Sequence, residues 1–187
     1  RVKNNMNVII SLINLQADKN KNEEIREEFR IIENRIRSMS NVHENLYKSE
    51  NLAYINFDDY LQYLCKEIYQ SYIKITSKIS YTIYAKNINL EIDKAIPCSL
   101  IINELFTNAI KYAFPGDRDG EIVIDFRKNE MGYFSLTVSD NGTGIPPGFD
   151  AKSKTSLGLE IVNSLAAQLK GKMEISGNRG MIVTITF

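Results

Sequence analysis

Apolar residues recur at alternating steps of three and four through the first fifty residues, which contain no proline and no glycine. One series runs from Val2 to Gln16 and a second from Ile25 to Leu46, with the polar stretch 17–22 between them. This spacing places the apolar residues of each series along one stripe of a helix. The pattern therefore predicts an antiparallel helical hairpin.

The two apolar stripes of this hairpin are wide. Further apolar residues lie beside them at Ile10, Leu12, Leu15 and Ile31. Two helices cannot bury such a surface alone, and pairing with a second copy into a four-helix bundle is the usual solution. The sequence therefore predicts a homodimer through residues 1–50. The alternative is a hairpin that packs on the C-terminal part of its own chain.

The pattern changes after residue 50. Helical spacing continues over 57–72, and alternation by two then predicts strands at 81–85 and 88–92, joined by a turn at Asn87. A helix is predicted from Pro97 to residue 113, since proline suits the first turn of a helix. The later elements alternate in the same way, with strands at 122–126, 134–138, 172–176 and 181–187, a Gly- and Pro-rich loop at 140–155 and a helix at 157–169.

The succession of these elements predicts the fold class. The strands are joined by hairpins and not by regular strand–helix–strand units, which favours an α+β sandwich with helices on one face of a mixed sheet. We place the domain boundary between residues 52 and 53. The expected domains are thus the hairpin, 1–52, and the sandwich, 53–187.

Composition excludes several classes of function. The 23 Lys and Arg residues balance the 23 Asp and Glu residues, whereas a nucleic-acid binder would show a basic excess. No stretch approaches the roughly 18 uninterrupted apolar residues of a membrane span, so we expect no membrane contact within this segment. The two cysteines lie far apart without a Cys-x-x-Cys motif, which excludes a zinc cluster and fits a cytoplasmic, reducing compartment.

The single histidine, His43, lies on the second apolar stripe of the predicted hairpin. A histidine on such a stripe is more often a packed or hydrogen-bonded core residue, and we assign His43 a structural role.

A polar stripe on the helix predicted at 97–113 is the first candidate for chemistry. Glu104, Asn108 and Lys111 stand at i, i+4 and i+7 and therefore share one face. A carboxylate, an amide and an ammonium together suit a hard cation such as Mg²⁺ beside a phosphate. The alternative is the ordinary solvated face of an amphipathic helix.

The second candidate is a glycine-containing segment directly after a strand. Asp140 ends the strand, and Gly142 and Gly144 follow it. Glycines let the backbone approach a ligand closely, and an Asp at a strand end can accept a hydrogen bond from an exocyclic amine. The alternative is a plain Asn-Gly turn.

The third candidate is the helix start Thr155-Ser156-Leu157-Gly158-Leu159. Free N–H groups and small hydroxyls at a helix start bind phosphate well. The alternative is an ordinary Ser/Thr cap.

The order and spacing of these three segments, over 56–187, resemble the GHKL ATPase domain, and more narrowly the ATP-binding domain of two-component sensor histidine kinases. The helix that begins Arg1-Val2-Lys3-Asn4-Asn5 and runs to Asn14-Leu15-Gln16 is similar to the dimerisation and phosphotransfer helix of one subfamily. Asn103-Glu104 and the short lid also belong to that subfamily. Its pattern places the phosphoacceptor histidine immediately before the residue that is here Arg1.

The resemblance implies the catalytic core of an ATP-dependent protein-histidine kinase. It would bind ATP and Mg²⁺, transfer the γ-phosphoryl group to that histidine, and pass it to an Asp of a response regulator. Glu104 would orient or deprotonate the attacking group, and Asn108 would bind Mg²⁺. The other residues implied to bind ATP are Lys111, Tyr112, Asp140, Gly142, Gly144, Thr155, Ser156 and Gly158.

One position departs from the family pattern. Related domains carry a Thr directly after the glycine that is here Gly180, whereas this chain has Met181. The departure predicts a weaker affinity for ATP. Two other functions stay open from the residues alone: a GHKL ATPase or serine kinase, in which Glu104 activates water or a hydroxyl, and a degenerate dimeric signalling scaffold.

Overall fold

The computed structural model describes residues 2–48, 54–72, 78–116, 118–144, 157–177 and 179–187, with the side chains of 45–48 excepted. Thr155, Ser156 and the boundary predicted at 52/53 thus lie outside the described residues, as does the side chain of Leu46. The elements in chain order are α1 (Val2–Lys19), α2 (Glu23–Lys48), β1 (Tyr54–Asn56), α3 (Phe57–Ser71), β2 (Ile79–Ala85), β3 (Asn89–Glu91), α4 (Ile92–Asn108), β4 (Gly120–Lys128), β5 (Phe134–Asp140), α5 (Leu157–Gln168), β6 (Lys172–Ser176) and β7 (Ile182–Thr186).

The predicted helical hairpin is confirmed by α1 and α2. Residues 20–22 connect the helices, and the Asn22 side chain accepts a hydrogen bond from the Glu24 N–H at 2.9 Å, which satisfies one of the free donors at a helix start. At the other end of the hairpin, the Lys3 ammonium lies 2.7 Å from the Glu44 carboxylate. The two helices are therefore antiparallel.

Burial within the hairpin differs from the predicted stripe. Ile10 is 6% exposed, whereas its neighbour Ile9, which the three–four spacing assigned to the stripe, is 46% exposed. Among the described elements, α1 packs mainly against α2, so much of its wide apolar surface faces outward. The exposed apolar residues of the hairpin include Val8, Ile9, Leu12, Leu15, Ile25 and Ile32.

Helix α3 begins one residue after Asn56, whose side chain accepts a hydrogen bond from the Asp59 N–H at 3.3 Å. Its apolar face, including Phe57, Leu61 and Cys65, is completely buried. The helix predicted over 57–72 is thus confirmed. The preceding strand β1 was not predicted, because its three residues are too few to show an alternating pattern.

The main sheet has five strands in the order β2-β4-β5-β7-β6. Strands β2 and β4 are parallel, with α4 in the connection between them, and the other neighbours are antiparallel. Helices α3, α4 and α5 supply the buried apolar residues that pack with those of the sheet. The predicted α+β sandwich with a mixed sheet is confirmed.

The predicted hairpin of strands 81–85 and 88–92 is wrong, although its turn is right. Asn87 has a φ of 58°, and the N–H groups of Asn87 and Ile88 donate to the Asp58 carboxylate at 2.6 and 2.8 Å. The two strands then enter different sheets, since β2 pairs with β4 and β3 pairs with β1. Alternation identifies the buried face of a strand and does not identify its partner.

The start predicted for α4 is also wrong. The helix begins at Ile92, so Pro97 lies in its second turn. There the proline lacks only one backbone donor, and the short strand β3 ends at Glu91. The helix continues past Asn108 as the π-helical turn Ala109–Ala113, so the predicted end near residue 113 is right.

Aromatic rings fill one end of the core between the sheet and α3. Phe126 is 1% exposed and meets Phe57 edge-on, with 5.5 Å between ring centroids. Phe134 and Phe187 lie within 5.9 and 6.3 Å of the same ring. The opposite, polar side of α4 faces α2 and α5, and this is where the candidate site lies.

Candidate functional site

A cavity of about 400 Å³ opens between α2, α4, α5 and the ends of β5 and β7. This volume is in the range of small-molecule binding sites. The cavity brings together residues from all three predicted segments. The predicted site residues that line it are Glu104, Asn108, Lys111, Tyr112, Asp140, Gly144 and Gly158.

Glu104 does not lie on a solvated face, because its side chain is only 5% exposed. Arg35 of α2 donates two hydrogen bonds to it, from Nε to Oε1 at 2.5 Å and from Nη2 to Oε2 at 2.6 Å. A buried carboxylate is costly unless it is paired, and this two-point contact supplies the pairing. The simple solvated-face reading of the polar stripe is therefore wrong at Glu104.

Lys111, at the other end of the stripe, is also mostly buried, with 12% of its side chain exposed. Its ammonium forms an ion pair with Glu27 of α2. Burial acts to lower the pKa of Lys111, but the hydrogen bond that its ammonium donates to Glu27 and the charges of nearby groups outweigh it, so the pKa lies above its usual value. Lys111 is thus a fully charged cation at the cavity wall.

Tyr72 lies beside Lys111 and also lines the cavity. The Lys111 ammonium is 5.4 Å from the centre of the Tyr72 ring. The Tyr72 hydroxyl is buried without a hydrogen-bond partner, which is uncommon in native proteins. Burial raises the pKa of this hydroxyl, so Tyr72 is a neutral donor that no group of the described chain uses.

Asp140 ends β5 at the opposite side of the cavity. Its Oδ1 accepts hydrogen bonds from the N–H groups of Gly142 at 2.8 Å and Met181 at 3.3 Å. Its Oδ2 accepts none from the described residues and is available to a ligand amine. Burial raises the pKa of Asp140, and the two N–H donors and Arg118 partly oppose that shift.

Gly180 and Gly142 allow close contacts within the protein itself. A Cβ on Gly180, whose φ is +90°, would lie 1.8 Å from the Asp140 carbonyl oxygen. A Cβ on Gly142 would lie 2.3 Å from the carbonyl oxygen of Ala113, at the end of the α4 extension. These two glycines therefore fix the backbone around Asp140, whereas Gly144 faces the cavity.

Gly158 brings the start of α5 against the polar stripe. A Cβ at this position would lie 3.0 Å from Oε2 of Glu104 and 3.3 Å from Nδ2 of Asn108. The free backbone donors at the start of α5 therefore face the same space as these two side chains. This arrangement suits an anion that is bound together with a cation.

The donor set fits a cation that shares its ligands with a phosphate. Among the residues described, no group of three or more His, Cys, Asp or Glu side chains could hold a metal ion. The cavity offers oxygen atoms from Asn108 and Glu104. Few protein ligands, all of them oxygen, are typical of Mg²⁺ bound with substrate phosphates.

Sequence reasoning missed Glu27, Arg35 and Tyr72. Glu27 and Arg35 belong to a helix that carries many charges, and nothing local distinguishes them from its other acidic and basic residues. Tyr72 follows the apolar stripe of α3 and resembles an ordinary core residue. Only the packing of α2 and α3 beside α4 shows that Arg35 and Tyr72 line the cavity and that Glu27 pairs with Lys111 at its wall.

Comparison with protein families matches both parts of the chain. Residues 1–72 match a family described as histidine kinase. Residues 93–187, more than half of the chain, match the family described as histidine kinase-, DNA gyrase B-, and HSP90-like ATPase.

Two named relatives agree with these matches. The sensor histidine kinase PdtaS of Mycobacterium tuberculosis is 30% identical, over 97% of this chain and 35% of its own length. The blue-light-activated histidine kinase 2 of Erythrobacter litoralis is 26% identical, over 99% of this chain and 54% of its own. The chain thus spans between about a third and about half of these relatives.

A solved structure shares the fold. The histidine kinase domain of the blue-light activated histidine kinase EL346 of Erythrobacter litoralis superposes with a TM-score of 0.77 at 22% identity, covering 97% of this chain and 84% of that one. The chain belongs to the histidine kinase-, DNA gyrase B- and HSP90-like ATPase family, and it carries the helical hairpin and ATPase region of a sensor histidine kinase.

Proposed function

We propose that this chain catalyses transfer of the γ-phosphoryl group of ATP to a histidine, from which the group passes to an Asp of a response-regulator domain. The observation that carries the proposal is the single cavity that joins Asp140 to Glu104 and Asn108. It combines an acceptor for an amine with oxygen ligands for a cation. These are the groups that an adenine nucleotide and its metal ion require.

In this proposal, Asp140 reads the adenine amino group and Asn108 is the Mg²⁺ ligand. The bound cation neutralises phosphate charge, which is a large part of phosphoryl-transfer catalysis. Lys111 and the start of α5 at Gly158 contact the phosphates, and Tyr112, which is 67% exposed at the cavity rim, lies against the nucleotide. Thr155 and Ser156 stay predictions for the phosphate end.

The acceptor histidine in this proposal stands immediately before Arg1 in the full-length protein. An imidazole with a pKa of ~6.5 is nucleophilic at neutral pH, so it needs little activation, and Glu104 orients or deprotonates it. His43 is half-buried on α2, which supports a structural role and not that of acceptor.

The partners follow from the hairpin and its family. The exposed apolar residues of α1 support a homodimer through residues 1–50, and the balanced charge supports a protein partner without nucleic acid. None of the helices in the described part of the chain is long and apolar enough to cross a membrane. We propose a cytoplasmic location for this region, with a dimerisation domain at 1–52 and a catalytic domain at 53–187.

Asn108→Ala tests the proposal. Loss of the Mg²⁺ ligand should weaken Mg²⁺-dependent ATP binding at least about tenfold, on the scale of a lost charge-assisted contact, as measured by calorimetry with and without Mg²⁺. Asn163→Ala removes the same side chain from an exposed position on α5 and serves as the matched control. Unchanged ATP binding by Asn108→Ala would remove Asn108 as the ligand.

Labelled ATP tests the reaction itself in a chain extended upstream of Arg1. We expect acid-labile label on the residue before Arg1. Label on His43 would contradict the proposed acceptor, and release of free phosphate without a phosphoprotein would indicate an ATPase instead.

A further inference from the structure

Two ion pairs join α2 to the polar stripe of α4 and its extension. Arg35 pairs with Glu104 through two hydrogen bonds of 2.5 and 2.6 Å, and Glu27 pairs with Lys111. Glu27, which comes first on α2, pairs with Lys111, which comes last on the stripe. This opposite order is expected for antiparallel helices with complementary charges. The charged side chains that the stripe presents are therefore both bound by α2.

The spacing along both helices agrees with this match. The eight steps from Glu27 to Arg35 span about 12 Å, and the seven steps from Glu104 to Lys111 span about 10.5 Å, at ~1.5 Å per residue. Ile31 and Asn108 lie between the pairs on their own helices, and both line the cavity. Helix α2 thus accompanies the stripe over its whole length, including the proposed Mg²⁺ ligand.

In the proposed function, ATP and its reaction need Glu104 and Lys111, the two side chains that α2 binds. The Glu27 carboxylate is an oxyanion, and it binds the ammonium that the proposed function assigns to a phosphate. The unpartnered Tyr72 hydroxyl lies next to that ammonium, so the docked arrangement leaves a buried donor unused. A buried donor without a partner is unfavourable, and a phosphate at Lys111 would offer it an acceptor.

We propose that docked α2 is a tethered competitor of the nucleotide, with Glu27 taking the place of a phosphate at Lys111 and Arg35 holding Glu104. This inference rests on the proposed function and adds a regulatory device to the same site. Nucleotide binding and α2 docking then oppose each other, and by linkage each weakens the other to the same extent.

The docked register also separates the stripe from the end of the hairpin that carries the start of α1. The Lys3–Glu44 pair marks that end. Arg35 lies nine residues before Glu44 on α2, which is about 13.5 Å at ~1.5 Å per residue. Release of α2 therefore favours phosphoryl transfer in two ways. It frees the cavity for the nucleotide, and it lets the ATPase region move toward the end of the hairpin where α1 begins.

Glu27→Gln tests the competition, because it keeps the side-chain shape and removes the charge. We expect this variant to bind Mg²⁺-ATP about two- to fivefold more tightly than the unaltered chain, the scale of a partly exposed ion pair. The matched control is Glu28→Gln, which changes the net charge equally at the next position of α2, in a residue that lines the cavity. Among the described residues, Glu27 pairs with Arg30 and Lys111, whereas Glu28 forms no ion pair.

The outcomes separate this inference from the proposed function. Tighter binding by Glu27→Gln alone supports the competition. Equal affinities, or an equal gain in the Glu28→Gln control, would overturn it while leaving the proposed function intact. Absence of ATP binding by every variant, the unaltered chain included, would overturn both.

Amide hydrogen exchange supplies a second measurement on the unaltered chain. Saturating Mg²⁺-ATP should speed exchange in residues 27–35 of α2 as the helix undocks, and should not change it in β4, which is paired on both sides within the sheet. Unchanged or slower exchange in 27–35 on saturation with ATP would overturn the inference.

Discussion

The sheet region, comprising β1–β7 with α3–α5, supplies nearly all of the buried core, whereas the α1–α2 hairpin leaves much of its apolar surface exposed. In the sheet region, Ile124 and Phe126 are at most 1% exposed. On α1, Leu12 and Leu15 are each 57% exposed. The sheet region therefore buries its apolar residues within the described chain, whereas α1 leaves an apolar face exposed.

The ion pairs of the two regions differ in the same way. Lys3 and Glu44, within the hairpin, have 52% and 31% of their side chains exposed, and exposed pairs contribute about 0–1 kcal/mol. Arg35 and Glu104, between the regions, are 16% and 5% exposed. Removing one partner of a buried pair costs about 3–5 kcal/mol, so the contact between the regions is the one that a substitution would disturb most.

The largest expected effect comes from the core of the sheet region. Phe126→Ala removes a ring that contacts Phe57 and Phe134, and the cavity it leaves should lower the free energy of unfolding by about 3–5 kcal/mol. Urea denaturation followed by circular dichroism measures the loss. Met131→Ala, at a position 85% exposed, is the control and should leave stability unchanged. Similar free energies of unfolding for the two variants would contradict the assignment of the main core to the sheet region.

A smaller effect is expected on the exposed face of α1. The double variant Leu12→Asp, Leu15→Asp should weaken dimerisation at least about tenfold, because each charge would be buried in the bundle. Sedimentation equilibrium measures the dissociation constant. The matched control Asn4→Asp, Asn5→Asp adds the same two charges at exposed positions of the same helix. Dimers of equal strength in both variants would show that this face is not the interface.

The smallest effect is a pH-dependent gain in stability at the site. Burial raises the pKa of Asp140 in the native state above its ordinary 3.8. At neutral pH the ionised carboxylate is therefore less favourable in the native state than in the unfolded chain, which lowers the free energy of unfolding. Asp140→Asn should therefore raise the unfolding temperature at neutral pH while it weakens ATP binding. The gain should shrink as the pH falls and vanish below 3.8. A gain that is the same at all pH values would contradict this origin.

Local sequence signals predicted the elements well. Helix α3 was predicted within one residue of its observed end, and the strand predicted at 122–126 is the middle of β4. The turn at Asn87 was predicted because few residues other than glycine accept a positive φ as readily. Propensity and periodicity act over a few residues, which is also the range of these features.

Pairings between distant residues could not be predicted. The partner of β2 is β4, beyond a whole helix, and Arg35 lies 69 positions from Glu104. With 23 basic and 23 acidic residues, the sequence permits very many charge pairs, and no local rule selects this one. The polar stripe was therefore located correctly, while its buried state and its contact with α2 required the structure.

Strand β7 lies between β5 and β6 in the sheet although it follows both in the chain. Met181, directly before β7, bonds to Asp140 in both directions, with its carbonyl oxygen 3.0 Å from the Asp140 nitrogen and its N–H 3.3 Å from Oδ1. A nascent chain that has left the ribosome only as far as β6 carries Glu104, Asn108 and Asp140, yet it lacks the strand that orients Asp140. Synthesis from the N-terminus to the C-terminus thus delays assembly of the Asp140 end of the cavity until β7 inserts between its two neighbours.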